Sequence, residues 1–217
     1  WGIASQTLAA GTISELELGF SRCALPVIAV TGTNGKSTCA KLIADMLSSG
    51  GQRVQLGGNY GTPFCHLVRS QGDYDWAVIE VSSFQLEAVD TFRPRIGVLL
   101  NIQPDHLTRH GSMREYARLK MEMFARMGMG DTALVPASHL SDVRAHKRTR
   151  ARGGDGTDEV HWLSFGTSGD VDFQYTAGKV LGRLGSISYE CDLSGSGFDN
   201  VVLGQAAAAA VAASGLA

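Results

Sequence analysis

A short glycine turn in this sequence carries the residue types that bind phosphate. It runs Gly32-Thr33-Asn34-Gly35-Lys36-Ser37-Thr38 and lies between an apolar run, Val27–Val30, and an amphipathic helical pattern. Backbone N–H groups at a helix start point at a bound anion, and glycines let the anion approach closely. Lys36 can reach the outer phosphates and the Ser37 hydroxyl can bind magnesium. The turn therefore indicates a nucleotide-phosphate loop, although its glycines are more closely spaced than in the common motif and a plain glycine turn is the alternative.

A carboxylate interrupts another run that is typical of a buried strand. Residues 76–81 read Trp-Ala-Val-Ile-Glu-Val, so Glu80 falls among apolar side chains. A buried carboxylate is costly unless it is paired or bound to a metal ion. Because a phosphate loop binds its nucleotide together with magnesium, we expect Glu80 to be a magnesium ligand. An edge strand that exposes Glu80 to water is the alternative.

Two loops that follow predicted strands carry further polar residues. Residues 57–63 contain Asn59 among three glycines and a proline, which indicates a loop. The predicted strand 96–102 runs into Asp105 and His106. Doubly wound sheets bind their ligands in loops at the carboxyl ends of the strands. We therefore expect a substrate loop at Asn59 and a metal or phosphate ligand at His106; a capped turn with an exposed histidine is the alternative.

The helical pattern over residues 112–127 contains one lysine close to its apolar stripe. Met113, Tyr116 and Phe124 contribute to the stripe, and Lys120 lies one position away from it. Long lysine side chains commonly run along an apolar surface and keep the ammonium group in water. From the pattern alone Lys120 is therefore interpreted as a surface lysine.

The composition bounds the class of protein. The chain has 217 residues, 44% of them hydrophobic, and a formal net charge of -2, which gives no reason to expect a nucleic acid or membrane partner. No transmembrane segment or signal peptide is visible. The four scattered cysteines lack metal-ligand spacing and predict reduced thiols in a cytoplasmic protein. The basic run within 144–152 lacks interleaved aromatic residues, so residues 138–160 are predicted to form a solvated loop.

The predicted elements that position these residues belong to an α/β fold. Apolar, β-branched runs alternate with helical patterns along most of the chain, which predicts a mostly parallel P-loop-type sheet flanked by helices. From Val171 to Leu193 the apolar residues recur with period two, which predicts a small antiparallel β layer. An alanine-rich run, 205–213, predicts a closely packed helix.

Several of these segments resemble the Mur ligases and their folylpolyglutamate synthase relatives. They are Thr31–Thr38, Gly57–Pro63, the run Glu80-Val81-Ser82-Ser83-Phe84-Gln85-Leu86-Glu87, the segment from Asn101 to His110, and the pair Tyr116 and Lys120. The resemblance covers nearly the whole chain and is to the central ATPase domain of the family. The run after Glu80 is similar to the branch that adds D-glutamate to UDP-N-acetylmuramoyl-L-alanine.

The resemblance implies an ATP-dependent ligase of peptidoglycan precursor synthesis that works through an acyl phosphate and acts as a monomer. It also implies that residues 1–24 are the remnant of an N-terminal domain and linker, that 25–217 form the central domain, and that the C-terminal domain is absent. The chain alone is then expected to be inactive in ligation. The alternatives are another Mur or folylpolyglutamate-type amide ligase and a non-catalytic nucleotide-binding module.

The resemblance also implies roles for individual residues. ATP is expected to contact Gly32, Thr33, Asn34, Gly35, Lys36, Ser37, Thr38 and Asn200. Two magnesium ions are expected, one held by Ser37 and Glu80 and the other by His106 and a carbamylated Lys120. Lys36, His106 and Lys120 are the expected catalytic residues, and the expected substrate contacts are Asn59, Thr62, Ser82 and Gln85. Leu203 stands where the family has a second asparagine at the nucleotide.

Overall fold

The computed structural model describes residues 12–150, 160–167, 169–194 and 201–215. The strands are β1 Val27–Thr31, β2 Val54–Gly58, β3 Trp76–Glu80, β4 Ile96–Leu99, β5 Thr132–Pro136, β6 His161–Gly166, β7 Phe173–Thr176, β8 Lys179–Leu184 and β9 Ile187–Asp192. The helices are α1 Glu15–Phe20, α2 Lys36–Ser49, α3 Phe64–Leu67, α4 Ser83–Leu86, α5 Leu107–His110, α6 Met113–Met121, α7 Leu140–Arg150 and α8 Val201–Ala213. Short 3₁₀ turns lie at Val68–Asp73, Glu122–Phe124 and Ala137–His139.

One sheet of nine strands organises the fold, in the order β2-β3-β1-β4-β5-β6-β7-β8-β9. Neighbouring strands are parallel from β2 to β7, and β8 and β9 are added in antiparallel pairing. The predicted α/β class is confirmed, and the antiparallel strands continue the same sheet. Because β1 lies between β3 and β4, the residues that follow all three strands meet at one edge.

The core lies on both faces of this sheet. All five residues of β1 are buried, as expected for a central parallel strand covered on each side. One face packs against α2 and the alanine-rich α8, where small side chains let the two helices approach closely. The other face packs against α1, α3 and the 3₁₀ turn Glu122–Phe124. The strands that carry the phosphate loop are therefore packed on both faces.

The prediction of a loop over residues 138–160 is wrong for its first half. Residues Leu140–Arg150 form helix α7, while residues 151–159 lie outside the described part of the chain. Val143 is fully buried, and the Arg150 side chain donates a hydrogen bond to Glu122. A helix that presents so few apolar side chains gives almost no periodic signal, because polar or charged residues occupy its other positions.

Helix α1 packs on the body of the domain. Leu16 is fully buried, and the Glu17 carboxylate accepts hydrogen bonds from the backbone N–H groups of Asp90 (2.9 Å) and Phe92 (3.1 Å). The division of the chain at residue 24 stays a prediction.

None of the helices in the described residues is both long enough and apolar enough to span a bilayer.

Candidate functional site

The carboxyl ends of four strands surround a small cavity of about 140 Å³, called here the central cavity. Its walls are Lys36, Asn59, Glu80, Ser82, Ser83, Phe84, Asp105, His106, Tyr116 and Lys120. The structure thus brings together side chains that are 84 positions apart in the sequence, including every residue predicted to be catalytic. These groups can act on a single ligand.

The phosphate loop leads from β1 into α2. Gly35 occupies the position before α2 with φ 85°, a left-handed conformation that favours glycine, and no side chain caps the helix. The first N–H groups of α2 therefore have no intrahelical partner and face outward. The Lys36 ammonium group donates to the carbonyl oxygens of Gly32 (3.1 Å) and Thr33 (2.9 Å), so its charge lies directly over the loop. The loop is built to hold an anion.

Asn101, two residues after β4, supports the loop and was not among the predicted site residues. Its side-chain oxygen accepts hydrogen bonds from the backbone N–H groups of Thr33 and Asn34, both at 3.0 Å. Its amide nitrogen donates to the Asn34 carbonyl at 3.1 Å. The sequence signals for Asn101 are its place just after a strand and at the start of a segment that resembles the family. Its contacts could not be predicted, because the partner loop is about seventy positions away.

Glu80 is buried on β3 and faces the start of α2. It is 4% exposed, and its two oxygens accept hydrogen bonds from Ser37 Oγ (2.5 Å) and Asn59 Nδ2 (2.9 Å). Since β3 lies between β1 and β2, the alternative of an exposed edge carboxylate is wrong. The Ser37 hydroxyl and the Glu80 carboxylate present adjacent hard oxygen ligands of the kind that magnesium prefers.

No group of three or more His, Cys, Asp or Glu side chains suited to a metal ion occurs among the described residues. A magnesium ion held by one carboxylate, one hydroxyl and the phosphates of a nucleotide needs no such cluster. The donor set at Ser37 and Glu80 therefore fits a nucleotide-bound magnesium ion and does not fit an all-protein metal site.

Lys120 is buried at the base of the phosphate loop. Its side chain is 2% exposed, its Nζ donates to the Gly32 carbonyl at 2.7 Å, and the same nitrogen lies 4.5 Å from the centre of the Tyr116 ring. Burial, with repulsion from Lys36, lowers the pKa of Lys120 to about 7. The interpretation of Lys120 as a surface lysine is wrong, because helix α6 turns this position toward the loop and not toward water.

His106 lies at the mouth of the central cavity, with 49% of its side chain exposed. It takes the position before α5 in a left-handed conformation, φ 51°. Its Nε2 is 3.4 Å from an Asp105 carboxylate oxygen, and its ring is 5.1 Å from that of Phe84. The histidine is therefore oriented by an acid and an aromatic ring while one side stays open to a ligand.

Only some of the residues predicted to contact the substrate line the central cavity. Ser82 lines the central cavity and also forms a capping box with Gln85, whose side-chain oxygen accepts from Ser82 N and Oγ, both at 3.0 Å. Thr62 is exposed and is not part of the cavity wall; its carbonyl accepts from the Gly58 N–H at 2.8 Å. Gln85 is not part of the wall either. Ser82 is thus the one of these three residues in the cavity wall, and its hydroxyl is hydrogen-bonded to Gln85.

A buried histidine behind the cavity was not predicted as a site residue. The His110 side chain is 1% exposed, with Nε2 3.0 Å from Ser83 Oγ and Nδ1 3.3 Å from a Glu87 oxygen. Burial lowers the pKa of His110, with further lowering by the nearby Arg109 charge. The ring lies 5.4 Å from that of Tyr116. This residue links helices α4, α5 and α6, which carry the wall of the central cavity.

A larger cavity of about 520 Å³ opens on the other side of the phosphate loop and is called here the α8 cavity. Its walls are Asn34, Gly35, Leu100, Asn101, Gln103, Pro136, Ala137, Ser138, Phe165, Gly166, Thr167, Val202 and Gln205. Asn200, a predicted nucleotide contact, lies outside the described residues, and the Leu203 side chain is also not described. The loop therefore separates two cavities, one polar and small, the other large enough for a nucleoside.

Comparison with curated proteins finds relatives named UDP-N-acetylmuramoylalanine--D-glutamate ligase. The protein from Pelotomaculum thermopropionicum is 50% identical over 121 residues, or 56% of this chain and 27% of the relative. The protein from Syntrophotalea carbinolica is 47% identical over 131 residues, which are 60% of this chain and 29% of the relative. The protein from Desulfotalea psychrophila is 41% identical over 170 residues, which are 76% of this chain and 34% of the relative. The chain spans about a third or less of the length of these relatives.

Solved structures share the fold. MurF from Acinetobacter baumannii matches with a TM-score of 0.69 at 22% identity, covering 94% of this chain and 47% of the other. E. coli FolC, in complex with DHPP and ADP, matches with a TM-score of 0.62 at 17% identity, covering 100% of this chain and 60% of the other. The family model described as the Mur ligase middle domain matches residues 30–195, which is more than half of the chain. The chain therefore belongs to the family of Mur ligase middle domains.

Proposed function

We propose that this chain is the ATP-binding domain of a ligase that adds D-glutamate to UDP-N-acetylmuramoyl-L-alanine. The names of the curated relatives, at 41% to 50% identity, support the substrates. The solved MurF of Thermotoga maritima and E. coli FolC were both obtained in complex with ADP, which supports a nucleotide at the corresponding loop. We also propose that the protein is cytoplasmic and monomeric, and that its ATP-binding domain begins after residue 24.

One observation carries the proposal: Lys36, Glu80 and Lys120 meet in the central cavity, at the foot of a phosphate loop. Transfer of a phosphoryl group depends on positioning and on neutralising charge at the transferred oxygens. The Lys36 ammonium group lies over the loop and can stay in contact with the outer phosphate during its transfer. The helix start and this ammonium group together hold the γ-phosphate of ATP against the cavity, where a substrate carboxylate can reach it.

The residues of the first magnesium site are Ser37 and Glu80. When bound there, magnesium would neutralise charge on the phosphate oxygens. The chain holds the Glu80 carboxylate in position before any ion binds. Asn59 donates a hydrogen bond to one of its oxygens, and the other oxygen faces the Ser37 hydroxyl. Ser37 and Glu80, which would hold the ion, are already hydrogen-bonded to each other, so their oxygens are adjacent.

The second proposed site consists of His106 and a carbamylated Lys120. In its free form the Lys120 amine donates to a carbonyl and cannot be a metal ligand. Its burial beside Lys36 favours the neutral amine, which can attack carbon dioxide: the new N–C bond forms and one proton leaves to solvent. The product carries one negative charge shared by two oxygens, and such oxygens suit magnesium far better than an ammonium group does. The site fits the metal only in this carbamylated form.

The reaction that follows from these placements has two steps. The substrate carboxylate, guided by Asn59 and Ser82, attacks the γ-phosphorus of ATP; a P–O bond forms, ADP leaves and an acyl phosphate results. The amine of D-glutamate then attacks the acyl carbon, and the tetrahedral adduct expels phosphate and a proton. Thr62 and Gln85 belong to the loop and helix that border the substrate side, and Asn200 is proposed to contact the nucleotide.

ATP binding is tested by calorimetry with magnesium on the chain and on Lys36→Ala. Loss of charge-assisted hydrogen bonds to phosphate should weaken binding about ten- to a hundredfold. Lys179→Ala is the matched control, because Lys179 lies on β8, away from both cavities, and pairs with Glu190. Equal affinity in the parent and in Lys36→Ala would contradict the phosphate loop.

Ligation is tested in a chimera in which this chain replaces the matched segment of the Syntrophotalea carbinolica relative. With ATP, magnesium, UDP-N-acetylmuramoyl-L-alanine and D-glutamate, mass spectrometry should detect the amide product, and Lys36→Ala should abolish it. A folded chimera that binds ATP and forms no product would favour a non-catalytic nucleotide-binding module.

A further inference from the structure

The backbone of the first half of the phosphate loop is hydrogen-bonded to a residue that follows β4. The Asn34 N–H donates to Asn101 Oδ1 at 3.0 Å, and Asn101 Nδ2 donates back to the Asn34 carbonyl oxygen at 3.1 Å. The Thr33 N–H faces two acceptors of the same residue, Asn101 Oδ1 at 3.0 Å and the Asn101 carbonyl oxygen at 3.1 Å. Both N–H groups therefore point at Asn101 and not at a ligand.

The side chains of the same two loop residues are bound to this segment as well. Thr33 Oγ1 accepts a hydrogen bond from the Gln103 N–H at 2.9 Å, and Asn34 Nδ2 donates to Gln103 Oε1 at 3.0 Å. Gly32, which precedes them, packs so closely that a Cβ atom there would lie 3.0 Å from Leu100 Cβ. These three loop residues are therefore docked on the segment that follows β4.

The second half of the loop has the opposite character. The first hydrogen bond within α2 is donated by the Cys39 N–H to the Gly35 carbonyl oxygen, at 2.9 Å. The three helical N–H groups before it, those of Lys36, Ser37 and Thr38, have no acceptor within the helix. N–H groups in this position bind anions, and the helix dipole favours the negative charge. One half of the loop is thus attached to the sheet, and the other half offers donors.

We propose that Asn101 is a positioning residue through which Thr33 and Asn34 anchor the phosphate loop, so that neither donates a backbone hydrogen bond to phosphate. The phosphates are bound instead by the N–H groups of residues 36–38. An N–H that already has a good acceptor gains little by exchanging it for another. A loop that is shaped before binding also loses less conformational freedom when the nucleotide arrives. The proposal rests on the proposed function, because it requires a nucleotide on the loop.

The direct test is NMR of the isotope-labelled chain with ADP and magnesium bound. A hydrogen bond from an amide to a phosphate oxygen transmits scalar coupling between the amide and the phosphorus nucleus. We expect such coupling for amides within residues 36–38 and none for Thr33 or Asn34. The measurement uses the parent chain and needs no substitution.

Two substitutions of Asn101 test its part in holding the loop without nucleotide. Asn101→Leu removes the acceptor of the Asn34 N–H, so hydrogen exchange at Asn34 should become at least about tenfold faster. Asn101→Asp keeps an acceptor oxygen and should restore most of the protection. Thr33 should respond less, because the carbonyl oxygen of residue 101 is present in every variant. ADP affinity should fall about tenfold in Asn101→Leu, since binding must then order the loop.

Gln71→Leu is the matched control. The Gln71 amide makes the same two kinds of contact: Oε1 accepts from the Ala24 N–H at 2.7 Å, and Nε2 donates to the Arg22 carbonyl oxygen at 3.0 Å. Gln71 lines neither the central cavity nor the α8 cavity. Its substitution should leave both the exchange at Asn34 and the ADP affinity unchanged.

The outcomes separate this proposal from the proposed function. Coupling between phosphorus and the amide of Thr33 or Asn34 would overturn the positioning role and leave the phosphate loop intact. Unchanged exchange at Asn34 in folded Asn101→Leu, with folding verified by thermal denaturation, would overturn it too. Failure of the parent chain to bind ADP would overturn both proposals. If Asn101→Leu does not fold, the coupling measurement on the parent chain decides.

Discussion

Glu122 joins the segment that carries Lys120 to helix α7, and its removal gives a quantitative test of how this wall of the site is held. The side chain is 5% exposed. It lies 2.5 Å from Arg118 Nη1, 3.1 Å from Arg150 Nε and 3.5 Å from His146 Nε2. A single buried carboxylate thus links α6, the following 3₁₀ turn and α7.

The substitution Glu122→Gln keeps the shape and removes the charge. Breaking a fully buried ion pair costs about 3–5 kcal/mol. Here Arg118 and Arg150 are 40% and 50% exposed, so water compensates part of the loss. We expect a decrease of about 1–3 kcal/mol in the free energy of unfolding. For a chain of this size each kcal/mol corresponds to a fall in Tm of about 2–4 °C.

Urea unfolding at neutral pH measures the effect, with Glu115→Gln as the matched control. Glu115 lies on the same helix and also pairs with Arg118, but its side chain is 43% exposed. An exposed pair of this kind contributes less than about 1 kcal/mol. A double-mutant cycle between Glu122→Gln and Arg150→Met should show a favourable coupling energy. Equal destabilisation by the two glutamate substitutions, or no coupling in the cycle, would refute the reasoning.

Three further predictions concern the site and the surface. Glu80→Gln should raise the magnesium concentration needed for half-maximal ATP binding, since an amide is a poor ligand for a hard cation; an unchanged titration would contradict the assignment. Carbon-13 NMR with labelled bicarbonate should show a carbamate resonance that Lys120→Ala removes and Lys179→Ala keeps, because hydrogen bonding to a glutamate raises the pKa of Lys179; a signal that survives Lys120→Ala would argue against carbamylation there. Hydrogen bonding to Arg53 lowers the pKa of Asp75 to about 2, so its stabilising effect is present above the ordinary carboxyl pKa and is lost as the pH falls toward 2. Asp75→Asn should therefore flatten the loss of stability in that window; identical pH profiles of the urea midpoint would contradict this.

Much of the fold is encoded in local sequence patterns. Central strands such as β1 and β3 are continuous apolar runs, because helices cover both faces of the sheet. The glycines of the phosphate loop mark a turn that other residues adopt only with strain. Lys36 and Ser37 follow at positions that the helix start determines. The prediction of a loop that binds phosphate could therefore be made from neighbouring residues alone.

The tertiary structure decided which distant side chains meet. Local periodicity gives Lys120 as a surface lysine, but the packing of α6 against the phosphate loop buries it beneath Gly32. Helix α7 presents almost no apolar pattern. Its Arg150 side chain contacts Glu122, which lies 28 positions earlier in the sequence. The sequence by itself determined the strands, the turn and the residue types, since these depend on neighbours along the chain. Burial and altered pKa values, as at Lys120, depend on contacts between elements that are distant in sequence, and only the tertiary structure creates those.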